Sequence, residues 1–262
     1  MWHDCAVKPL RPSVLLVALV WTATSAAEGV QLPQPPPPAG APTELQVGLC
    51  TPAEEVVRAL ALKPNGGPVD VWFFDTPSLT MFERGVRFRL RISGTKGELT
   101  LKVANQHCSS IAPDLVPKSA GKCEFDRHGD TIAGAVSLSR KIDHHQIRHL
   151  TVDRKPLAEE LSPPQIRYLR DVLRLWPLPA DLRPLGPIDL RRYRASAKPY
   201  DVDVWTVPSG ARDVEIGRKV RFADADAAYH TLMDDLAKAK VDVCADQSAQ
   251  SAVRLRALLA PK

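Results

Sequence analysis

Residues Val69–Val103 read VDVWFFDTPSLTMFERGVRFRLRISGTKGELTLKV. Three strand-like runs are joined here by punctuated turns. In Val86–Ile92 the alternation is strict: Val86, Phe88, Leu90 and Ile92 fall on one face, Arg87, Arg89 and Arg91 on the other. Successive side chains of a strand point to opposite faces, so three guanidiniums share one side of one strand. The next strand, Glu98–Val103, adds Lys102. A row of like charges is costly unless solvent or an anion answers it. A solvated sheet face is the bland answer, and a bound anion the functional one.

The chain around this stretch has 262 residues, 44% hydrophobic and 25% charged, a globular composition with room for one substantial core or two small ones. Net charge is +5 and pI about 9.0, which favours acidic partners without specifying nucleic acid. At the N-terminus, Lys8 and Arg11 precede an apolar run, Val14–Trp21, and small residues follow at Ser25-Ala26-Ala27. That pattern reads as a secretory signal peptide over residues 1–27; a retained membrane anchor is the alternative. A proline-rich linker, residues 28–42, follows, containing QLPQPPPPAGAP, which has little to bury and favours extended geometry. One domain is expected over 43–262.

Cysteine usage points to an exported, periplasmic or secreted chain. Cys5 would leave with the signal, and Cys50, Cys108, Cys123 and Cys244 remain. Four cysteines allow three pairings. Cys108 and Cys123 flank one long loop, so they are paired, and Cys50 is paired with Cys244. Four reduced thiols are the alternative in a reducing compartment. No CxxC or clustered zinc spacing is present.

Along the domain, Leu45, Val47 and Leu49 alternate with Glu44, Gln46 and Gly48 in a first strand. Thr51-Pro52-Ala53-Glu54 reads as a capping box opening a helix to about Leu62. Strands follow at Val69–Asp75, Val86–Ile92, Glu98–Val103 and Lys122–Arg127, with one helical turn at Leu79–Arg84 closed by Gly85. Residues 130–157 give no clear pattern. A helix is expected over Gln165–Leu175, then strands at Ile188–Arg194, Tyr200–Val207 and Asp213–Val220. Two helices close the chain, near Asp224–Ala239, with Asp224 as N-cap, and Gln247–Leu259. Most of these eight strands carry apolar residues on one face and charges on the other. Helices packed on the apolar faces would turn the charged faces inward. The expected fold is therefore α+β: an eight-stranded antiparallel tunnel-like β-barrel with helices packed on the outside.

FFDTPSLTMFERGVRFRLR followed by GELTLK resembles the CYTH, or triphosphate tunnel metalloenzyme, superfamily. The shared pattern is an aromatic-Asp-Thr-Pro turn, a helical turn, an arginine-alternating strand, then a strand ending in Lys. The resemblance implies an eight-stranded antiparallel tunnel acting on triphosphates with Mg²⁺ or Mn²⁺. It implies phosphate contacts from Arg87, Arg89, Arg91 and Lys102, and a later basic pair at Arg192 and Arg194; Lys219 joins this basic set. Guanidinium forks suit phosphate oxygens. It implies metal ligands among Glu44, Glu124, Asp126 and Glu215, since a hard cation takes carboxylate and phosphate oxygens.

The chain departs from the family at strand one. Where Glu-x-Glu-x-Lys is expected, it has Glu44-Leu45-Gln46-Val47-Gly48. Gln46 adds no charge, and Gly48 has no side chain to meet a phosphate. The sequence therefore reads as an exported tunnel binding a phosphorylated or other polyanionic ligand, such as phosphate, polyphosphate or a nucleotide, with weak or no triphosphate hydrolysis. An active metal-dependent triphosphatase or polyphosphatase is a second reading, and a non-catalytic structural or protein-interaction domain a third. Asp143-His144-His145 and His149 invite a separate metal guess against surface histidines in a polar loop. No Gly-rich phosphate loop, GxSxG elbow or HExxH motif occurs.

Overall fold

A computed structural model describes residues 37–259, except 109, 110, 113, 197, 248 and 249; of residues 250–253 it describes the backbone alone. The expected leader and most of the expected linker lie outside the described residues.

Among the described residues ten strands form: β1 (Pro42–Leu49), β2 (Leu62–Pro64), β3 (Val69–Asp75), β4 (Val86–Ser93), β5 (Lys96–Ala104), β6 (Gly121–His128), β7 (Thr131–Ile142), β8 (Arg183–Ala195), β9 (Asp201–Thr206) and β10 (Arg212–Arg221). Helices are α1 (Ala53–Ala59), α2 (Thr80–Glu83), α3 (His144–Thr151), α4 (Pro163–Arg167), α5 (Ala225–Lys238) and α6 (Gln250–Leu259). The sheet runs β8-β3-β4-β5-β7-β6-β1-β10-β9, and β9 pairs back onto β8, closing a barrel; β2 is an extra strand on β8.

The expected eight antiparallel strands are corrected to nine with one parallel pair. The added strand is β7, from the stretch that gave no clear pattern. Up–down alternation cannot close around a ring of nine. One seam must be parallel, and it lies between β1 and β6. The remaining ring pairings are antiparallel.

Alternation sets inside and outside. Phe88, Leu90, Leu99, Leu101, Val136 and Leu138 face outward and are fully buried against Leu150 of α3 and against Tyr168 and Leu169 beyond α4. A second outer cluster packs Val47, Val202, Val214 and Ile216 against Val56 of α1 and Leu232 and Leu236 of α5. Each such side chain contributes about 1.5–3 kcal/mol. The helices thus supply the cover that lets the charged faces turn inward.

The Asp-Thr-Pro turn is a buried capping device. Asp75 is 2% exposed. Its Oδ1 accepts from the Thr76 and Met81 amides (2.7 and 2.9 Å), and its Oδ2 from the Phe82 amide (2.9 Å). Thr76 Oγ1 accepts from the Thr80 amide (3.0 Å), and Gly85, at φ +74°, ends the turn. These bonds fix where β4 begins and so aim its arginines. Asp75→Ala strands several buried donors at once. It is expected to lower unfolding free energy by about 3 kcal/mol or more, measured by urea denaturation.

Four local expectations are also corrected. Thr51 does not cap α1; its Oγ1 accepts from the Asp242 amide (2.7 Å) instead. The first helix stops at Ala59, because Leu62–Pro64 pairs with β8 as β2. The Asp224 carboxylate is taken by Arg221 (2.8 Å) rather than by the amides of α5. The expected helix over 165–175 is five α-helical residues of α4 continued by a π-helical stretch, Tyr168–Val172.

Candidate functional site

The inward faces enclose a cavity of about 400 Å³, within the roughly 300–1,000 Å³ usual for small-molecule sites. Arg87, Arg89 and Arg91 of β4 line one wall, with Lys102 of β5 beside them; Arg87 and Lys102 are register partners. Arg192 and Arg194 of β8, Lys219 of β10, Glu44 of β1, Glu124 of β6 and Glu215 of β10 line the same cavity. Asp126, on the same face of β6 as Glu124 and in register with Glu44, is ion-paired with Lys102 (2.5 Å). Gln46, Thr100, Ser137 and Ser139 complete the polar lining. Among the described residues, ten cationic side chains line the cavity against six carboxylates, so it has room for an anion.

Some of these charges are already answered. Arg192 holds Asp203 (3.1 Å), Arg194 holds Asp201 at the exposed rim (2.8 Å), and Lys122 holds Glu124 (2.6 Å). Arg89 and Arg91 differ: the Nε of each is buried and, among the described residues, has no hydrogen-bond partner. Burial, then repulsion from Arg91, pushes the Arg89 guanidinium down to about 9. Burial also lowers Arg91, with Arg192 adding repulsion, and lowers Arg87. On the acidic side, burial raises Glu44, offset by Lys219 and Lys102, and raises Asp203, offset by Arg192. Cations held below their ordinary values by desolvation are poised to gain from a bound anion.

Glu44, Glu124 and Asp126 converge, their ligating oxygens lying within 4.8 Å of one another. Oxygens that far apart can share a hard cation with bonds of about 2.0–2.6 Å. Asp126 Oδ1 is buried with no hydrogen-bond partner among the described residues, an orphan that a cation would satisfy. These three residues fit a divalent cation. Glu215 does not join them; Arg254 holds it, as described next.

Strand reasoning missed Arg254. It comes from α6, is 4% exposed, and reaches the cavity from outside the barrel strands. Its Nε donates to Asp213 Oδ2 (2.5 Å) and its Nη2 to Glu215 Oε2 (3.1 Å). Its guanidinium lies 4.2 Å from the ring centre of Trp205, which also lines the cavity. Leu255, its neighbour, packs with Phe73 and Trp205. The only sequence signal was a basic residue inside an amphipathic helix, which ordinarily marks a solvated face. Arg218 of β10 also lines the cavity.

Both expected disulfides form, Cys50–Cys244 and Cys108–Cys123. The histidine cluster does not converge. His144 and His145 stack on each other (4.0 Å), while His149 turns to Glu160 (3.5 Å). Asp143 instead caps α3, accepting from the His145 and Gln146 amides. Among the described residues, no helix is long and apolar enough to cross a membrane.

No family model matches the sequence, and no curated protein matches it. Solved structures do. An adenylyl cyclase candidate from Hippeastrum, described as having a dominant triphosphatase activity, is 14% identical, with a TM-score of 0.54 over 80% of this chain and 93% of its own. An adenylate cyclase candidate from Bacillus halodurans is 14% identical, with a TM-score of 0.53 over 81% of this chain and 98% of its own. In architecture, with its closed barrel, inward charges and outer helices, this chain shares the fold of these two solved structures.

Proposed function

We propose that the barrel binds a small linear polyanion of the phosphate class, with tripolyphosphate or the triphosphate of a nucleotide as its model ligand, and hydrolyses it feebly or not at all. The observation that carries this reading is the pair Arg89 and Arg91. Each has a buried Nε without a hydrogen-bond partner among the described residues, and both face a cavity whose described lining is richer in cations than in carboxylates. A phosphate chain offers the acceptors those donors lack, at the strength of charge-assisted hydrogen bonds.

Weak turnover is inferred from strand one and from Glu215. Gln46 brings no negative charge, Gly48 brings no side chain, and Glu215 is engaged by Arg254. An active triphosphatase is the second reading, favoured by the convergence of Glu44, Glu124 and Asp126. There a bound Mg²⁺ or Mn²⁺ would polarise the phosphoryl group, while Arg89, Arg91 and Lys102 would hold the chain. Export belongs to the proposal too. It is supported by two disulfides and by the signal-like pattern of residues 1–27.

Calorimetric titration with tripolyphosphate, first in EDTA and then with Mg²⁺ or Mn²⁺, followed by phosphate release, separates the readings. Binding in EDTA with little release is the expected result. Steady metal-dependent release would favour the triphosphatase, and no binding under any condition would leave the structural or protein-interaction domain.

A further inference from the structure

We propose that Arg254 is a tethered counter-cation of the tunnel, taking beside Asp213 and Glu215 the place that a divalent cation would hold. The proposal rests on the anion-binding reading for its consequence, but its geometry stands apart from it.

Asp213 and Glu215 are two residues apart on β10 and therefore share a face, with Glu215 in the lumen lining. Two carboxylates there would repel an entering polyanion. One guanidinium answers both, at 2.5 Å to Asp213 and 3.1 Å to Glu215, and lies over the Trp205 ring. Burial pushes the Asp213 carboxyl up, and Arg254 opposes that rise. Glu215 stands apart from the convergent carboxylates Glu44, Glu124 and Asp126.

The cation is delivered rather than free. The segment leading into α6 is joined to the end of β1 by Cys50–Cys244. Gln247 grips the same strand, its Oε1 accepting from the Gly48 amide (2.8 Å) and its Nε2 donating to the Gly48 carbonyl (3.1 Å). Gly48 is in register with Glu215. The position without a side chain on β1 is thus the one to which the C-terminal segment is fastened, and that segment carries a cation back to the same wall. A hard cation and a guanidinium both neutralise carboxylates, but only the guanidinium is fixed in number and place.

Removing the guanidinium while keeping side-chain length should turn Asp213 and Glu215 into a cation site. The test uses the full chain. Free Mn²⁺ is followed by electron paramagnetic resonance in ligand-free protein, and tripolyphosphate binding by calorimetry in EDTA. Arg254→Met is expected to gain one Mn²⁺ site relative to wild type, and adding Glu215→Gln should remove it. Its tripolyphosphate affinity in EDTA should fall by about tenfold and recover with Mn²⁺. Arg254→Lys should behave as wild type in both measurements. Unchanged Mn²⁺ stoichiometry in folded Arg254→Met would overturn the proposal. Should Arg254→Met fail to fold, Glu215→Gln in the otherwise native chain decides it. Unaltered Mn²⁺ stoichiometry is expected there, and loss of a site shows that Glu215 was a metal ligand all along. A gained Mn²⁺ site in a chain whose wild type ignores tripolyphosphate would sink the anion reading and leave Arg254 as assigned.

Discussion

Arg89→Met is expected to weaken tripolyphosphate binding by about 10- to 100-fold, the range of about 1.5–3 kcal/mol for charge-assisted hydrogen bonds, while making the ligand-free protein more stable. The two effects have one cause. Arg89 sits on the lumen face of β4 with its Nε buried and unpartnered, next to Arg91 and within the field of Arg192. Holding that charge out of water costs stability unless an anion answers it. Methionine keeps an unbranched chain and removes the charge. Thermal denaturation without ligand should therefore show a higher midpoint for Arg89→Met, and calorimetry should show lost affinity. Lower stability together with lost affinity would show Arg89 to be a structural ion-pair partner instead. The pH dependence has a defined sign. The folded-state value of about 9 lies below the ordinary arginine range of the unfolded chain. Below about 9 both states hold the proton and the penalty is full. Between about 9 and the ordinary range the unfolded state holds more protons, so stability rises with pH. Anion affinity runs the other way, falling as the ligand-free tunnel loses this cation. Both slopes should be reduced in Arg89→Met relative to wild type.

How much of this was legible depended on which side of the wall a residue stood. The β4 arginines were readable because period-two alternation against Val86, Phe88 and Leu90 admits one arrangement. The face that buries the apolar set against helices must send the charges inward. The same logic placed Lys102, Arg192 and Glu215. It failed at β7, where Ala133-Gly134-Ala135 and the lumen-facing Ser137 and Ser139 mute the contrast between faces, although Val136 and Leu138 pack outward. Gly134 has its own reason to be small: a Cβ there would lie 2.1 Å from the Gln106 carbonyl oxygen. Missing β7 cost the strand count and with it the parallel seam, which follows from parity. Alternation put Asp126 on the face of Glu124, and there it meets Glu44 and Glu124 and pairs with Lys102. Arg254 was beyond reach. Nothing in a helical period tells which basic residue will reach into a barrel.

The Cys50–Cys244 disulfide carries the largest expected stability effect. Cys50 and Cys244 are 194 residues apart, against 15 for Cys108 and Cys123. In the chain-entropy model, the constraint on the unfolded chain grows with the logarithm of loop length, giving about 5 kcal/mol for the first and about 3 kcal/mol for the second. Against a total of about 5–15 kcal/mol for a typical domain, the first would decide whether the reduced chain folds comfortably. Cys50→Ser with Cys244→Ser is therefore expected to lower unfolding free energy by up to about 5 kcal/mol in urea denaturation, more than the Cys108/Cys123 pair replaced alike. The folded state should change less. The Cys50 amide still donates to the Asp242 carbonyl (2.9 Å), the Cys244 amide to the Gly48 carbonyl (3.0 Å), and Gln247 still grips Gly48. Those bonds keep the C-terminal segment on β1, and with it Arg254 against Asp213 and Glu215. Tripolyphosphate affinity of the serine variant, measured by calorimetry well below its melting midpoint, should accordingly stay within about twofold of wild type. A collapse in affinity at a temperature where the barrel is still folded would mean that the bridge positions Arg254 directly. Its work would then lie in the native tunnel rather than in the unfolded chain.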